Sequence, residues 1–174
     1  MRHIKSKYAD LPDEYYGGES ERYCTPDLFK ASLSKGEDYD LWEWCAGSAS
    51  LSKVALEEKV RHLPPVDYRY GWDVGRTQDQ LVLLEGLLSN TIAELMASPT
   101  CGPWGAHTRG LPADQLAAKR KLETDTLEFV AVCCILQHLR GLSYLLENSA
   151  FSDIFTKSPL AVLRKLPYEL ARLD

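Results

Sequence analysis

The chain has 174 residues, an apolar content of 45% and a net charge of −5, values that suit one ordinary globular domain. No apolar run is long enough to cross a bilayer and the N-terminus (MRHIKSKYADLPDEYY) is polar, so we expect an intracellular protein, cytoplasmic or nuclear, rather than a membrane or secreted one. Five cysteines without a CxxC pair predict free thiols in a reducing compartment, and the negative charge argues slightly against a nucleic-acid partner unless one face is basic.

The first part of the chain, residues 1–37, has little hydrophobic periodicity and is predicted to form a peripheral arm in front of a main domain at residues 38–174. Thr25 as an N-cap and Pro26 at the first helical position predict a short helix inside this arm. The short aromatic and apolar run Tyr39–Ala46 then predicts a buried strand.

Helices and strands alternate through the rest of the chain. Residues 51–60 predict a helix, and the two prolines within residues 60–74 exclude a helix interior and predict an extended segment. The later predicted elements are a helix at Gln78–Leu88 with Thr77 as its N-cap, a strand at Ile92–Ala97, a long helix at Ala113–Leu139 ended by Gly141, a strand at Leu142–Leu146, a short helix at Pro159–Leu166 and the start of another strand at residues 168–173. This alternation predicts an α/β domain with a mostly parallel sheet flanked by helices.

Three strand ends carry residues suited to a site, because ligands of parallel sheets bind beyond the carboxyl ends of the strands. The first is the stretch 44–50 (WCAGSAS), in which Ala46, Gly47 and Ser48 lead into a helix. Such small residues let a ligand approach the backbone and the helix N-terminus. The alternative is a tight connection between strand and helix that binds nothing.

The second strand end is residues 95–105 (LMASPTCGPWG), where Cys101 follows a predicted strand in a loop between two prolines. A thiol becomes a nucleophile once it is deprotonated, which a nearby cation favours, and His107 and Arg109 are close in sequence. The alternative is a structural cysteine in a proline-rich loop, with Trp104 as a core residue.

The third strand end is residues 145–149 (LLENS), where Glu147 and Asn148 follow two leucines. A carboxylate in this position can act as an acid or pair with the polar edge of a heterocycle. The alternative is a helix cap or a surface loop.

In this order, the three strand ends resemble the motifs of the C5-cytosine DNA methyltransferases across residues 40–150. The family's cofactor loop, Phe-Ala-Gly-x-Gly-Gly, is similar to residues 45–50 (CAGSAS). Its nucleophile loop, Pro-Cys-Gln-Pro-Phe-Ser, is similar to residues 100–105 (TCGPWG), and its Glu-Asn-Val is similar to residues 147–149 (ENS). The resemblance implies a Rossmann-like S-adenosylmethionine-dependent methyltransferase fold that lacks the C-terminal part.

The resemblance also implies roles for single residues. Cys101 would attack C6 of a cytosine flipped out of DNA, Glu147 would hold and protonate the ring, and Asn148 would orient the loop. S-Adenosylmethionine would supply the methyl group. The implied cofactor-binding residues are Cys45, Ala46, Gly47, Ser48, Ala49, Asp67, Trp72, Asp73 and Ser98. The implied substrate-binding residues are Pro103, Trp104 and Arg109.

An acidic residue on the second strand of such folds usually meets the ribose hydroxyls. Asp73 is the first candidate for this contact, with Trp72 beside the adenine, and Asp67 is the second. Either aspartate has the alternative of an ordinary surface or turn residue.

The sequence also departs from the family. Gly102, Trp104 and Ser149 replace a glutamine, a phenylalanine and a valine of its motifs. The Gln-x-Arg-x-Arg motif, the target-recognition region and the closing C-terminal element have no counterpart, so we expect a fragment, a reduced member, or half of a split enzyme that needs a second chain. Two other hypotheses stay open: a non-catalytic module that binds S-adenosylmethionine or a partner chain, and a methyltransferase with another acceptor in which Cys101 is incidental. DNA is the expected partner, and RNA is less favoured.

The remaining features are a cysteine pair, a basic run and the histidines. Cys133 and Cys134 lie among apolar residues of the long predicted helix and are expected to pack in the core. The basic run 119–121 predicts a solvated helix face, although together with Arg109 and Arg140 it could instead meet phosphates near Cys101. The four histidines and the cysteines form no zinc pattern, so no metal is expected.

Overall fold

The computed structural model describes residues 24–108 and 110–167 of the chain, which form an α/β fold around a three-stranded parallel sheet. The strands are β1 (Asp38–Trp44), β2 (Thr91–Ala97) and β3 (Ser143–Leu146), paired in the order β1-β2-β3. The sequence predicts all three strands, although β1 ends two residues earlier than expected, which leaves Cys45 and Ala46 in the loop that follows.

Five α-helices are present in the described ranges. They are α1 (Pro26–Ser32), α2 (Ser50–Glu57), α3 (Thr77–Ser89), α4 (Ala113–Leu139) and α5 (Ile154–Lys157). The bounds of α4 are those predicted. The predicted helix at Pro159–Leu166 is a 3-10 helix, Pro159–Lys165, and three shorter 3-10 turns cover Tyr68–Tyr70, Gly102–Trp104 and Ala106–Thr108.

The segment predicted to be extended runs along the free side of β1. His62 makes a parallel bridge with Leu41, and Val66 makes one with Trp44. This bridged segment ends at Val66, and Asp67 is the N-cap of the turn at Tyr68–Tyr70. The order of parallel segments across the sheet is therefore residues 62–66, β1, β2 and β3.

Helices cover both faces of the sheet beside β1. Side chains alternate between faces along a strand, so Trp44 and Glu43 point in opposite directions. The Trp44 ring stacks on Phe129 of α4, with ring centroids 5.7 Å apart and an interplanar angle of 5°. Glu43 accepts hydrogen bonds from Ser52 of α2. Thus α4 lies on one face and α2 on the other.

An aromatic cluster forms the centre of the core on the α4 side. Phe29 of α1 stacks on Trp42 at 5.4 Å and meets Trp72 edge to face at 5.6 Å. Trp42 also meets Trp44 edge to face at 5.1 Å. Since Phe29 is buried in this cluster, the described part of the predicted N-terminal arm contributes to the core.

The two predicted helix N-caps, Thr25 and Thr77, differ in outcome. Thr25 caps α1 as predicted, because its Oγ1 accepts the Leu28 N–H at 3.5 Å and Pro26 begins the helix. Thr77 is the first residue of α3 instead of its N-cap; Arg76 holds that position without a side-chain cap. The predicted strand at residues 168–173 and the first part of the predicted arm, residues 1–23, lie outside the described residues.

Candidate functional site

The three predicted loops lie side by side at one edge of the sheet. Trp44, Ala97 and Leu146 are the last residues of their strands, and the pairing aligns Trp44 with Ala97 and Ala97 with Leu146. The N–H of Ser98 donates to the Trp44 carbonyl at 3.1 Å, and the N–H of Glu147 donates to the Ala97 carbonyl at 3.1 Å. The ladder therefore continues by one residue into the second and third loops, which fixes the starts of the loops relative to one another.

The loop after β1 has an unusual backbone. Cys45, Gly47 and Ala49 all have a φ of 53°, in the left-handed region that costs a residue with a Cβ about 1 kcal/mol. Strain of this kind tends to persist at functional sites. No atom lies within 4 Å of the position that a Cβ of Gly47 would take, so the outer surface of this loop is open to a ligand. Ser48 is exposed and Ala49 is buried.

Asp67, which directly follows the bridged segment 62–66, holds this loop in place. Its Oδ2 accepts the Gly47 N–H at 2.9 Å, and its Oδ1 accepts the Arg69 N–H at 3.0 Å. The Tyr70 hydroxyl donates to the Gly47 carbonyl at 3.1 Å. Asp67 is 4% exposed, and burial raises the pKa of its carboxyl although the two backbone hydrogen bonds oppose this. Both polar groups of Gly47 are thus held from one neighbouring segment.

Cys45 lies in a negatively charged environment. Burial raises the pKa of its thiol strongly, and the carboxylates of Asp67 and Glu123 raise it further. Glu43, which contributes to raising the pKa of Asp67, is itself buried. Cys45 is therefore a neutral thiol at physiological pH, and the surrounding carboxylates suit a positively charged ligand better than a phosphate.

Glu43 also supplies the cap that α2 lacks. The N-cap residue Ala49 makes no side-chain cap bond, whereas Glu43 Oε2 accepts the Ser52 N–H at 2.8 Å and the Ser52 hydroxyl at 2.6 Å. A carboxylate at a helix N-terminus is favourable because it meets free N–H groups and the positive end of the helix dipole. It also makes this helix end a poor anion site.

The loop after β2 presents Cys101 in a tight turn. The Gly102 N–H donates to Thr100 Oγ1 at 3.2 Å, and the Trp104 N–H donates to the Cys101 carbonyl at 2.9 Å. Cys101 is partly exposed and forms no disulfide. The loop follows β2, the middle strand of the three.

Pro103 and Trp104 are buried parts of the same loop. Arg120 of α4 donates from Nε to the Pro103 carbonyl at 3.2 Å, and its guanidinium lies over the Trp104 ring, 4.5 Å from the centroid. Trp104 is 4% exposed and its carbonyl accepts the Asp153 N–H at 2.8 Å. Neither predicted substrate-binding side chain is exposed for contact with a base, so we assign both to supporting the loop.

The loop after β3 is tied to the Cys101 loop. Asn148 Nδ2 donates to the Pro99 carbonyl at 2.7 Å, which links this loop to the one that carries Cys101. Asn148 Oδ1 is buried and has no hydrogen-bond partner among the described residues. The Glu147 side chain is exposed, and no contact in the described ranges occupies its carboxylate. Glu147 therefore projects from the same edge of the sheet as Cys101.

The two remaining cofactor candidates lie elsewhere. Trp72 is fully buried and its Nε1 donates to the Cys24 carbonyl at 2.9 Å, so its ring has no face free for an adenine. Asp73 is buried just before α3, where Oδ1 accepts the Gly75 N–H at 3.0 Å and its own N–H donates to Asp79. Asp67, the second candidate from the sequence, is thus the aspartate that contacts the loop after β1, the small-residue loop at residues 45–49.

A cleft of about 620 Å³ lies between the first turn of α3 and the middle of α4. Asp73, Arg76 and Lys121 are among its lining residues, and the loop at residues 45–49 is not. Its mixed charges single out no class of ligand.

The other predicted features can be placed as follows. Arg109 lies outside the described residues. Cys133 and Cys134 are fully buried, as predicted, and burial raises the pKa of Cys134 to about 12. Within residues 24–108 and 110–167, no group of His, Cys, Asp or Glu side chains could hold a metal ion. In the same ranges, no helix has the length and apolar character to cross a membrane.

Sequence reasoning missed the contacts of Glu43, Arg120 and Glu123. A signal for Glu43 is present in the sequence, because a carboxylate between two tryptophans of a buried strand needs a partner. Arg120 stands out only as part of a basic run. Its position against the Cys101 loop depends on how α4 packs, which the local sequence does not indicate.

No protein-family model matches the chain, and neither a curated protein nor a solved structure matches it. Function is therefore inferred from the residues and contacts of the chain itself.

Proposed function

We propose that the chain is an S-adenosylmethionine-dependent methyltransferase of the cytosine-C5 type, built on a Rossmann-like methyltransferase fold. The observation that carries the proposal is the contact between Asn148 and Pro99, which joins the Glu147 loop to the Cys101 loop at the carboxyl edge of adjacent parallel strands. A nucleophile and a carboxylate on one edge can engage one heterocycle from two sides.

The small-residue loop is the proposed cofactor site. Its backbone is open at Gly47, and the nearby carboxylates of Asp67 and Glu123 suit the sulfonium and ammonium charges of S-adenosylmethionine. Ser98 lies between this loop and Cys101 along the same edge. Cys45, Ala46, Ser48 and Ala49 form the rest of the loop; Trp72 and Asp73 are left out of the proposed site.

Cys101 and Glu147 have distinct proposed roles. The Cys101 thiolate forms a bond to C6 of a cytosine extruded from DNA, while Glu147 donates a proton to N3 as electrons move onto the ring. S-Adenosylmethionine would supply the methyl group that C5 takes up and would leave as S-adenosylhomocysteine. After C5 loses its proton to a base, the C6–S bond breaks, N3 returns its proton and Cys101 is released as a thiolate. RNA is a less favoured substrate.

A non-catalytic module is the second candidate function. Both oxygens of Asp67 already accept backbone N–H groups, and the Trp72 ring is buried, so two residues implied in cofactor contacts have structural partners. Such a module would bind S-adenosylmethionine or a second chain without turnover.

One experiment separates these candidates. Purified protein is titrated calorimetrically with S-adenosylmethionine, and transfer of labelled methyl groups to DNA and RNA is then measured for the wild type, Cys101→Ser and the control Cys24→Ser. We expect micromolar binding in all three and transfer to DNA in all but Cys101→Ser. Binding without transfer by the wild type would favour the non-catalytic module. Undiminished transfer by Cys101→Ser would refute the covalent mechanism and favour a different acceptor.

A further inference from the structure

Arg120 is attached to the Cys101 loop by two different contacts. Its Nε donates to the Pro103 carbonyl at 3.2 Å, and its guanidinium lies 4.5 Å from the centroid of the Trp104 ring. A hydrogen bond from a charged donor is stronger than a neutral one, and a cation over an indole face adds a second attraction. The loop is thus fastened to α4, 17 residues further along the chain.

Movement of Trp104 would move Cys101, because the two are coupled through the backbone. The Trp104 N–H donates to the Cys101 carbonyl at 2.9 Å, closing the turn that carries the thiol. The buried indole Nε1 has no hydrogen-bond partner in the described structure, so Arg120 supplies the polar attraction that this ring receives. Removing the guanidinium would leave Trp104 held by packing and by its two backbone hydrogen bonds, to the Cys101 carbonyl and from the Asp153 N–H.

Arg120 differs from its basic neighbours in the run 119–121. Lys119 and Lys121 are exposed, whereas Arg120 is half-buried against the loop. An arginine suits this place because its planar guanidinium can stack on an indole and donate in the same plane, which the ammonium of a lysine cannot do.

We propose that Arg120 is a positioning residue for Cys101: it holds the Cys101–Trp104 turn through Trp104 and Pro103 without itself contacting the substrate. Its effect on methyl transfer rests on the proposed function, but its effect on the loop does not. The two consequences can therefore be tested separately.

Amide hydrogen exchange of the full chain tests whether Arg120 holds the Cys101–Trp104 turn. We expect the Trp104 amide to exchange about tenfold faster in Arg120→Gln, since one charge-assisted hydrogen bond and one cation–π contact are lost. Arg120→Lys should give an intermediate increase, and Lys119→Gln should match the wild type. Wild-type exchange at Trp104 in Arg120→Gln would overturn the proposal. Faster exchange spread equally over β1 and β2 would also overturn it, since Arg120 would then be a general stabiliser.

The reaction provides an independent readout. In Arg120→Gln we expect kcat for methyl transfer to fall about tenfold while KM for S-adenosylmethionine stays unchanged, because the Gly47 loop is untouched. A rise in KM with unchanged kcat would contradict a positioning role. If the wild type transfers no methyl group, the proposed function fails, yet the exchange experiment still decides whether Arg120 positions the loop.

Discussion

Replacement of Asp67 by asparagine tests the link between the end of the bridged segment 62–66 and the small-residue loop at residues 45–49. The side chain of asparagine has the same shape but one carbonyl oxygen, so it can accept only one of the two N–H groups that Asp67 now accepts, from Gly47 and Arg69. The second N–H would face an amide NH2 group. Leaving a buried donor unsatisfied costs about 1–3 kcal/mol, and removal of a buried charge recovers part of this.

We therefore expect Asp67→Asn to lower the free energy of unfolding by about 1–2 kcal/mol near neutral pH, or the melting temperature by about 3–6 °C. Urea denaturation measures the first and calorimetry the second. Because the loop at Gly47 would also shift, affinity for S-adenosylmethionine should fall about tenfold. The matched control is Asp73→Asn, at a buried aspartate that bonds within the turn before α3, which should keep wild-type affinity.

The destabilisation caused by Asp67→Asn should depend on pH with a defined sign. Burial raises the pKa of Asp67 above the value of 3.8 expected for the unfolded chain, so the folded protein takes up this proton first as the pH falls. The resulting stability is fully present below 3.8 and is lost as the pH rises through the folded pKa. Since an asparagine side chain does not titrate, the destabilisation should be larger near about pH 4 than near about pH 7. Equal destabilisation by Asp67→Asn at the two pH values would refute the reasoning about Asp67, and so would no destabilisation at either pH.

Two further substitutions test the packing that holds the site. Gly86→Ala should lower the free energy of unfolding, measured in urea, by about 1–3 kcal/mol, because the new Cβ would lie 2.8 Å from Trp42. This cost outweighs the better helix propensity of alanine. Gly110→Ala, with no neighbour within 4 Å of the new Cβ, should leave the free energy of unfolding nearly unchanged. Gln137→Met keeps the side-chain volume but loses the hydrogen bonds from Nε2 to the carbonyls of Ile92 and Ser143. We therefore expect the free energy of unfolding to fall by about 1–3 kcal/mol. Unchanged stability would contradict a role of Gln137 in joining β2 to β3.

The sequence predicts the sheet well because the strands carry strong local signals. Ile92–Ala97 and Leu142–Leu146 are short apolar runs between turn residues, and the structure has strands there within one residue. The segment 60–74 is harder to interpret. Its two prolines exclude helix, but the two bridges to β1 depend on pairing with a distant strand, for which the segment itself carries no periodic pattern.

The choice between Asp67 and Asp73 shows a similar limit. Both lie in the same extended stretch, so the sequence does not determine where the strand ends. The turn at Tyr68–Tyr70, with Asp67 as its cap, decides the question, because the bridged segment beside β1 ends at Val66. The sequence position of Trp72 suggests a place beside a cofactor, whereas the aromatic cluster with Phe29 draws this ring into the core.

The two cysteines next to strand ends illustrate why position alone does not identify a nucleophile. Cys45 and Cys101 both follow parallel strands at the same edge of the sheet. Burial and the carboxylates of Asp67 and Glu123 raise the pKa of Cys45, which keeps it a thiol. Cys101 lies in a partly exposed turn, in a loop that Arg120 contacts with a positive charge. Anions and burial oppose the formation of a thiolate, so the surroundings of Cys45 make it a poor nucleophile although it follows a parallel strand at the same edge as Cys101.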